Sequence, residues 1–213
     1  MLEDGAVTSL DDLSLRCRAA GGEPDLAASL AAAQAGDENA FRVLYRALQP
    51  GMLRYLRVLV GEDAEDVASE AWLQIANGLS GFRGDIDGFR GWTATIARNR
   101  ALDQLRSRRR RPLTTDAELL VEFPARDNTA DSAVDTLSTD AALALIAKLP
   151  PDQAEAVLLR AVVGLDAAGA AKVLGKRSGA VRTAAYRGLR KLAEHLEQAG
   201  VTDPGALTLN EMR

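Results

Sequence analysis

Apolar residues recur at intervals of three and four positions along two stretches of the chain, with less regular segments around them. This spacing is typical of amphipathic helices. The first stretch predicts a helix from Asp25 that breaks at Gly36-Asp37, and a second helix that ends at Gly61. Pro50 could either kink that second helix or begin a new segment. A third helix is expected from Asp63, with acidic residues in its first turn.

A glycine-rich segment, "NGLSGFRGDIDG", follows the third helix and precedes a fourth that runs from Phe89 into Pro112. The second stretch begins near Thr139 and contains several short helical segments. One of these ends at Gly175 and is followed by a longer helix capped by Ser178, a spacing typical of a helix-turn-helix. The pattern therefore predicts an all-α protein of two small helical domains joined by a linker.

The expected organisation has five parts. It comprises an N-terminal extension over residues 1–24, a first domain over 25–111, a linker over 112–138, a helix-turn-helix domain over 139–197, and a C-terminal tail over 198–213. The linker carries six acidic residues against Arg126 alone, and we expect it to be exposed.

Charge is arranged in blocks of opposite sign, although the whole chain has a net charge of only −4. The third helix is acidic, whereas the fourth carries eight arginines against one acid and ends in "RSRRRRP". The last helix is basic again. Such basic clusters indicate a polyanionic partner such as nucleic acid.

Several classes of function are disfavoured by what the sequence lacks. It contains one cysteine, Cys17, and one histidine, His195, so an intrachain disulfide and a two-histidine metal site are excluded. No phosphate-binding glycine loop or nucleophile elbow is present. We expect neither an enzyme nor a protein with a metal or cofactor. The acidic N-terminus is unlike a secretory signal, and no apolar run is long enough to span a bilayer, so we expect a cytoplasmic protein.

Two helices carry polar groups suited to nucleic acid. On the fourth, Arg98, Asn99, Asp103 and Arg106 lie near the aromatic residues Phe82, Phe89 and Trp92, a combination that favours single-stranded nucleic acid. On the last helix, Arg182, Thr183 and Tyr186 are placed to reach base edges. The alternatives are that Trp92 belongs to the core and that the basic helices are merely solvated. The acidic third helix, with Trp72, would face either solvent or a protein partner.

The motifs "AEDVASEAWLQIA", "FRGWTATIARNRALDQLRSRRRR" and "LPPDQAEAVLLRAVVGLDAAGAAKVLGKRSGAVRTAAYRGLRKL" occur in the order and at the spacing of the bacterial extracytoplasmic-function (ECF) sigma factors. Residues 25 to 197 resemble that family. The resemblance implies that the third helix binds the β′ clamp of the RNA polymerase core. The matching positions are Glu65, Asp66, Ser69, Glu70 and Trp72.

The same resemblance implies that the fourth helix and residues 79–88 recognise and open the −10 promoter element. The C-terminal domain would read the −35 element and dock on the β flap, and an anti-sigma factor would be a partner. The −10 positions are Phe89, Trp92, Arg98, Asn99, Asp103 and Arg106. The −35 positions are Arg177, Ser178, Arg182, Thr183, Tyr186, Arg187 and Arg190.

The sequence departs from common family choices at Ser69, Ala180, Ala184 and Tyr186, which leaves the promoter sequence open. Two other interpretations remain. A stand-alone helix-turn-helix regulator of duplex operators would need a dimerisation helix that the pattern does not provide. A helical adaptor would use its arginines only for solubility.

Overall fold

The computed structural model describes residues 25–110 and 130–198, with the backbone alone described for residues 130–138, 197 and 198. These parts of the chain are helical and contain no β-strand. The α-helices are α1 (Leu26–Gln34), α2 (Glu38–Val60), α3 (Ala64–Gly78), α4 (Ile86–Arg110), α5 (Ala130–Ala147), α6 (Pro151–Val157), α7 (Ala167–Leu174) and α8 (Ser178–Gln198). The prediction of an all-α fold is confirmed.

Side-chain caps and glycines set the ends of the first two helices, close to the positions that the sequence predicted. The Asp25 carboxylate accepts hydrogen bonds from the first backbone N–H groups of α1, and Asp37 does the same for α2. Such capping satisfies donors that have no partner inside the helix. Gly61 ends α2 with a φ of 62°, a conformation that glycine adopts readily. Pro50 lies within α2 and does not begin a new helix.

The first domain forms around α2, with α1, α3 and α4 packed against it. Its largest fully buried side chains are Leu44, Tyr55, Leu56, Ile75 and Phe89. Two short 3₁₀ turns, Gly61–Asp63 and Leu79–Gly81, lie on either side of α3. Helix α3 packs against α2 and α4 through its buried residues and leaves its acidic residues exposed to solvent.

The second domain contains α5 to α8. Helix α6 continues into a π-helical turn, Leu158–Val162, whose Leu158 and Leu159 are fully buried. Helix α7 ends at Gly175, which is in the left-handed conformation with a φ of 64°, and α8 follows after a short turn. This is the predicted helix-turn-helix. Helix α8 begins at Ser178 itself, so the predicted cap is the first helical residue.

Two predicted boundaries differ from the structure. Helix α4 begins at Ile86, not at Phe89, because the Asp85 carboxylate accepts a hydrogen bond from the N–H of Gly88 and caps the earlier start. Helix α5 begins at Ala130, inside the segment predicted as linker. The extension over residues 1–24, the last residue of the predicted first domain with linker residues 112–129, and the tail from residue 199 lie outside the described residues. The proposed domain limits there stay predictions.

The two domains contact each other. Helix α4 packs against α7, and α2 packs against the π-helical turn. The backbones come close together at Gly51, where a Cβ atom would lie 2.9 Å from the carbonyl oxygen of Val162. Among the helices that the structure describes, none is long and apolar enough to cross a membrane.

Candidate nucleic-acid interface

Helix α3 presents an acidic face to solvent. Glu65, Asp66, Ser69 and Glu70 are all exposed. Glu65 and Asp66 lie in the first turn, where the helix dipole favours negative charge. The Ser69 hydroxyl donates a 2.9 Å hydrogen bond to the backbone carbonyl of Glu65, within the helix. The four carboxylate and hydroxyl side chains therefore form one accessible polar surface.

Trp72 was predicted to share this surface but lies in the core, with 6% of its area exposed. Its ring packs at an 89° angle against Phe41 and contacts Tyr45 at a centroid distance of 4.8 Å. The indole N–H donates to the amide oxygen of Gln49. Burial of this large ring stabilises the α2–α3 contact. The apolar groups that reach solvent beside the acidic face are Tyr45 and Leu73, neither of which the sequence singled out.

The segment between α3 and α4 is held by contacts with α4 and α1 and by a hydrogen bond within the segment itself. The Phe82 ring packs against Phe89 and Trp92, with centroid distances of 5.4 and 5.2 Å. The Phe82 carbonyl accepts hydrogen bonds from Gln34 of α1, at 2.8 Å, and from Arg83, at 2.7 Å. Residues 80, 81 and 83–85 remain exposed. The loop is therefore anchored at Phe82 and accessible around it.

The structure corrects the assignment of Phe89 to a base-contacting surface. Phe89 is completely buried, because it lies at the first turn of α4 facing the aromatic cluster and the core. Trp92 is half-buried and packs on Gly78, where a Cβ atom would lie 2.9 Å from the indole ring. Phe89 therefore supports the loop from beneath and does not face solvent.

The polar positions of α4 are in different environments. Asn99 is exposed, and Asp103 pairs with Arg106 at 2.8 Å on the same exposed face. Arg98, one turn earlier, is directed at the second domain. Its Nε and Nη2 atoms each donate a 3.1 Å hydrogen bond to one carboxylate oxygen of Glu155 on α6. The four predicted residues thus share a helix, but only three of them face solvent.

The Arg98–Glu155 pair is largely shielded, with 22% and 18% of the two side chains exposed. Burial alone would lower the pKa of the Arg98 guanidinium, but the hydrogen bonds and charge of Glu155 outweigh burial, and this pKa is raised. Tyr55 lies beside the pair inside the core. Burial raises the pKa of the Tyr55 phenol far above its ordinary value, and the negative charge of Glu155 adds to the rise.

The arginine cluster at the end of α4 is partly neutralised within the protein. Arg108 forms a 2.5 Å ion pair with Asp63, whose second carboxylate oxygen accepts a 2.7 Å hydrogen bond from Gln104. The Arg110 side chain donates to the backbone carbonyl of Arg106. Asp63 thereby ties the beginning of α3 to the basic end of α4.

Helix α8 presents a cationic face opposite its buried side. Val181 and Ala185 are buried against the domain core, whereas Tyr186 is 59% exposed. The Thr183 hydroxyl donates to the carbonyl of Gly179, and Arg190 pairs with Glu194 at 3.3 Å. The seven predicted −35 positions share this side of the helix-turn-helix, where all are exposed except the half-buried Ser178. Helix α8 can therefore present side chains to a DNA groove, as recognition helices do.

Sequence reasoning missed Gln34, Asp63 and Glu155. Each is a single polar residue whose partner is distant in the chain, so no local spacing marks it. The nearest signal was for Asp63, which was identified only as the start of α3.

Comparison with known proteins identifies both domains. Residues 44–111 match the family model of Sigma-70 region 2, and residues 139–192 match that of Sigma-70 region 4. The chain is 37% identical over 166 residues to the ECF RNA polymerase sigma factor BldN of Streptomyces coelicolor, covering 77% of this chain and 63% of BldN. It is 32% identical over 181 residues to ECF sigma factor SigD of Mycobacterium tuberculosis, covering 82% of this chain and 85% of SigD.

Solved structures share the fold. CnrH, in complex with the cytosolic domain of CnrY, aligns with a TM-score of 0.56 at 23% identity, covering 82% of this chain and 99% of CnrH. The sigma factor RpoE of Bartonella quintana, in complex with the anti-sigma factor NepR, aligns with a TM-score of 0.57 at 21% identity, covering 74% of this chain and 96% of RpoE. A stand-alone operator-binding regulator is not favoured, since the first domain also matches a sigma-factor region. The chain belongs to the ECF RNA polymerase sigma factors.

Proposed function

We propose that this sigma factor uses three surfaces in promoter initiation, centred on α3, on α4 with the loop before it, and on α8. The acidic face of α3 binds the β′ clamp of core polymerase through Glu65, Asp66, Ser69 and Glu70. Trp72 supports that face from the core. Tyr45 and Leu73 add apolar contact area beside it, as is usual at the centre of protein interfaces.

The second surface recognises and opens the −10 element. Asn99, Asp103 and Arg106 supply base- and phosphate-directed groups, and Arg98 joins them when it is released from Glu155. The loop over residues 79–88 holds an unstacked base, with Phe82, Phe89 and Trp92 forming its packed support. Stacking and cationic contacts are the usual means of holding single-stranded nucleic acid.

The third surface is the exposed side of α8, which reads the −35 element in the major groove. Arg182, Thr183 and Tyr186 lie near the beginning of the helix, the part of a recognition helix that contacts base edges. Arg177, Ser178, Arg187 and Arg190 contact phosphates or neighbouring bases. The observation that carries the proposal is this exposed basic helix in a region 4 domain that follows a region 2 domain.

The protein acts in the cytoplasm as an initiation factor without catalysis of its own. CnrH and the Bartonella RpoE were solved with CnrY and NepR respectively, and we infer that an anti-sigma factor binds this chain too. We infer further that the predicted linker, residues 112–138, runs through the polymerase cleft.

Run-off transcription with purified core polymerase tests the proposal. Core plus the protein should give discrete new start sites on a promoter library, and those promoters should share −35 and −10 elements. Arg182→Ala should lower discrimination at one −35 position, whereas Arg106→Ala should weaken promoter opening with core binding retained. Start sites that do not depend on the added protein would contradict the proposal.

A further inference from the structure

The loop proposed to hold an unstacked base is anchored by a residue from outside the region 2 match. Gln34 is the last residue of α1, and its Nε2 atom donates to the carbonyl oxygens of Leu79 and Phe82, at 3.3 and 2.8 Å. These carbonyls lie at the two ends of the 3₁₀ turn from which the loop departs. Both are distant in the chain from Gln34, so the contact fixes the loop against a separate helix.

The position of Phe82 determines the shape of the exposed part of the loop. Its ring is fixed by Phe89 and Trp92, and its carbonyl is fixed by Gln34. Two residues later Gly84 has a φ of 152°, and a Cβ atom there would lie 2.9 Å from the Phe82 ring. The chain therefore turns tightly around Phe82, and a shift of this residue would displace the loop that follows.

We propose that Gln34 is a positioning residue for base recognition by the −10 loop, acting through Phe82 without touching DNA. The proposal rests on the proposed function of residues 79–88. Gln34→Glu keeps the size of the side chain but removes both donors and places a charge near two carbonyls. Gln34→Lys keeps a hydrogen-bond donor at the end of the side chain. Gln49→Glu is the matched control, because Gln49 uses its oxygen as an acceptor from Trp72 and glutamate retains it.

The test measures binding of the core-bound protein to single-stranded −10 oligonucleotides that differ at one base. The wild-type preference for the correct base should fall about three- to tenfold in Gln34→Glu, the range of one or two hydrogen bonds. Gln34→Lys and Gln49→Glu should retain the preference. A mere loss of folded protein lowers all affinities together and leaves the ratio unchanged.

An unchanged base preference in Gln34→Glu overturns this proposal. A wild-type protein that shows no preference among bases overturns instead the proposed function of the loop. The two failures are thus distinguishable in one experiment.

A different set of contacts supports a second inference, about the Arg98–Glu155 pair. The two hydrogen bonds join the proposed −10 surface to α6 of the second domain, and both side chains are mostly shielded. The close approach of Gly51 to the backbone of Val162 lies in the same contact between domains. A crevice of about 180 Å³ beside it is lined by residues from both domains, including Met52, Tyr55 and Val163.

We infer that this contact is a latch that withholds Arg98 from DNA until the two domains separate. The inference rests on the proposed role of Arg98. When one partner of a mostly buried ion pair is made neutral, the remaining charge stays desolvated without compensation, and the contact is destabilised. Glu155→Gln should therefore open the contact. Gly51→Val should open it independently by steric conflict with Val162, leaving every proposed DNA-contacting residue unchanged.

The experiment uses the full chain without polymerase. Amide hydrogen exchange should increase at Val162 and Val163 in both variants, and affinity for a single-stranded −10 oligonucleotide should rise. If about nine molecules in ten are latched, full release raises the apparent affinity about tenfold. Asp152→Asn, an equal charge change at an exposed position of α6, is the control and should alter neither quantity.

Faster exchange without higher affinity overturns the latch, and so does unchanged exchange in both variants. Promoter opening that is normal for Arg98→Ala in the presence of core polymerase overturns instead the proposed role of Arg98.

Discussion

The link between Asp63 and the basic end of α4 gives a stability prediction with an internal comparison. Asp63→Asn removes the charge that holds Arg108, while the amide oxygen still accepts from Gln104. The Asp63 side chain is 19% exposed and Arg108 is 49% exposed. A hydrogen bond to a charged group contributes about 1.5–3 kcal/mol when shielded, and an exposed ion pair about 0.2–1 kcal/mol. We expect the free energy of unfolding to fall by about 1–2 kcal/mol.

Asp103→Asn is the matched comparison. It removes the same charge from an Asp–Arg pair whose two residues both lie on α4. Both side chains are about two-thirds exposed, Asp103 at 63% and Arg106 at 66%. Solvent screening should limit its effect to less than about 0.5 kcal/mol. Urea denaturation at pH 7 measures both variants, and amide exchange in the last turns of α4 localises the effect. Equal destabilisation by the two variants would refute the reasoning that burial determines the contribution of these pairs.

Three further predictions concern the Tyr55 phenol, the backbone at Gly61 and Gly91, and helix α8. Tyr55 stays protonated in the folded state because its pKa is raised, so above pH about 10 only the unfolded chain loses that proton. The free energy of unfolding of wild type, relative to that of Tyr55→Phe, should therefore fall by about 1.4 kcal/mol per pH unit in urea titrations. A difference in unfolding free energy that stays constant with pH would contradict this. Gly61→Ala forces a side chain into a φ of 62° and should cost about 1–3 kcal/mol in thermal unfolding, whereas Gly91→Ala, which meets nothing within 4 Å inside α4, should stabilise by about 0.5–1 kcal/mol. Arg182→Ala should weaken binding of the polymerase complex to a −35 duplex by about 1–3 kcal/mol. Arg190→Ala should weaken it less because Glu194 already engages Arg190. Equal losses of binding in the two variants would argue against base contact by Arg182.

The helices were predictable because their signals are local. Capping by Asp25 and Asp37, the glycine at position 61 and the turn at Gly175 act on neighbouring backbone groups, and the sequence displays them directly. The exposed side of α8 was also predictable, since one face of a helix follows from spacing alone.

The roles of individual aromatic and charged residues were not predictable in the same way. Trp72 and Phe89 have the residue types of interfaces, but packing on Phe41 and on the Phe82 cluster buries them. Glu155 has no local feature that marks it as the partner of Arg98, which lies in another domain. Such contacts depend on how helices from distant parts of the chain meet.

The internal pairing of the arginines on α4 has a consequence for how binding should respond to salt. Arg98, Arg106 and Arg108 each engage an acidic residue of the protein. An arginine that leaves its carboxylate partner to bind a DNA phosphate releases a condensed counterion from the DNA. The carboxylate that it leaves becomes exposed and attracts a cation from the salt solution. The number of ions released on binding should therefore be smaller than the number of arginines on α4 suggests, and the logarithm of the affinity should decline less steeply with the logarithm of salt concentration. Part of the positive charge of this helix thus maintains the shape of the protein.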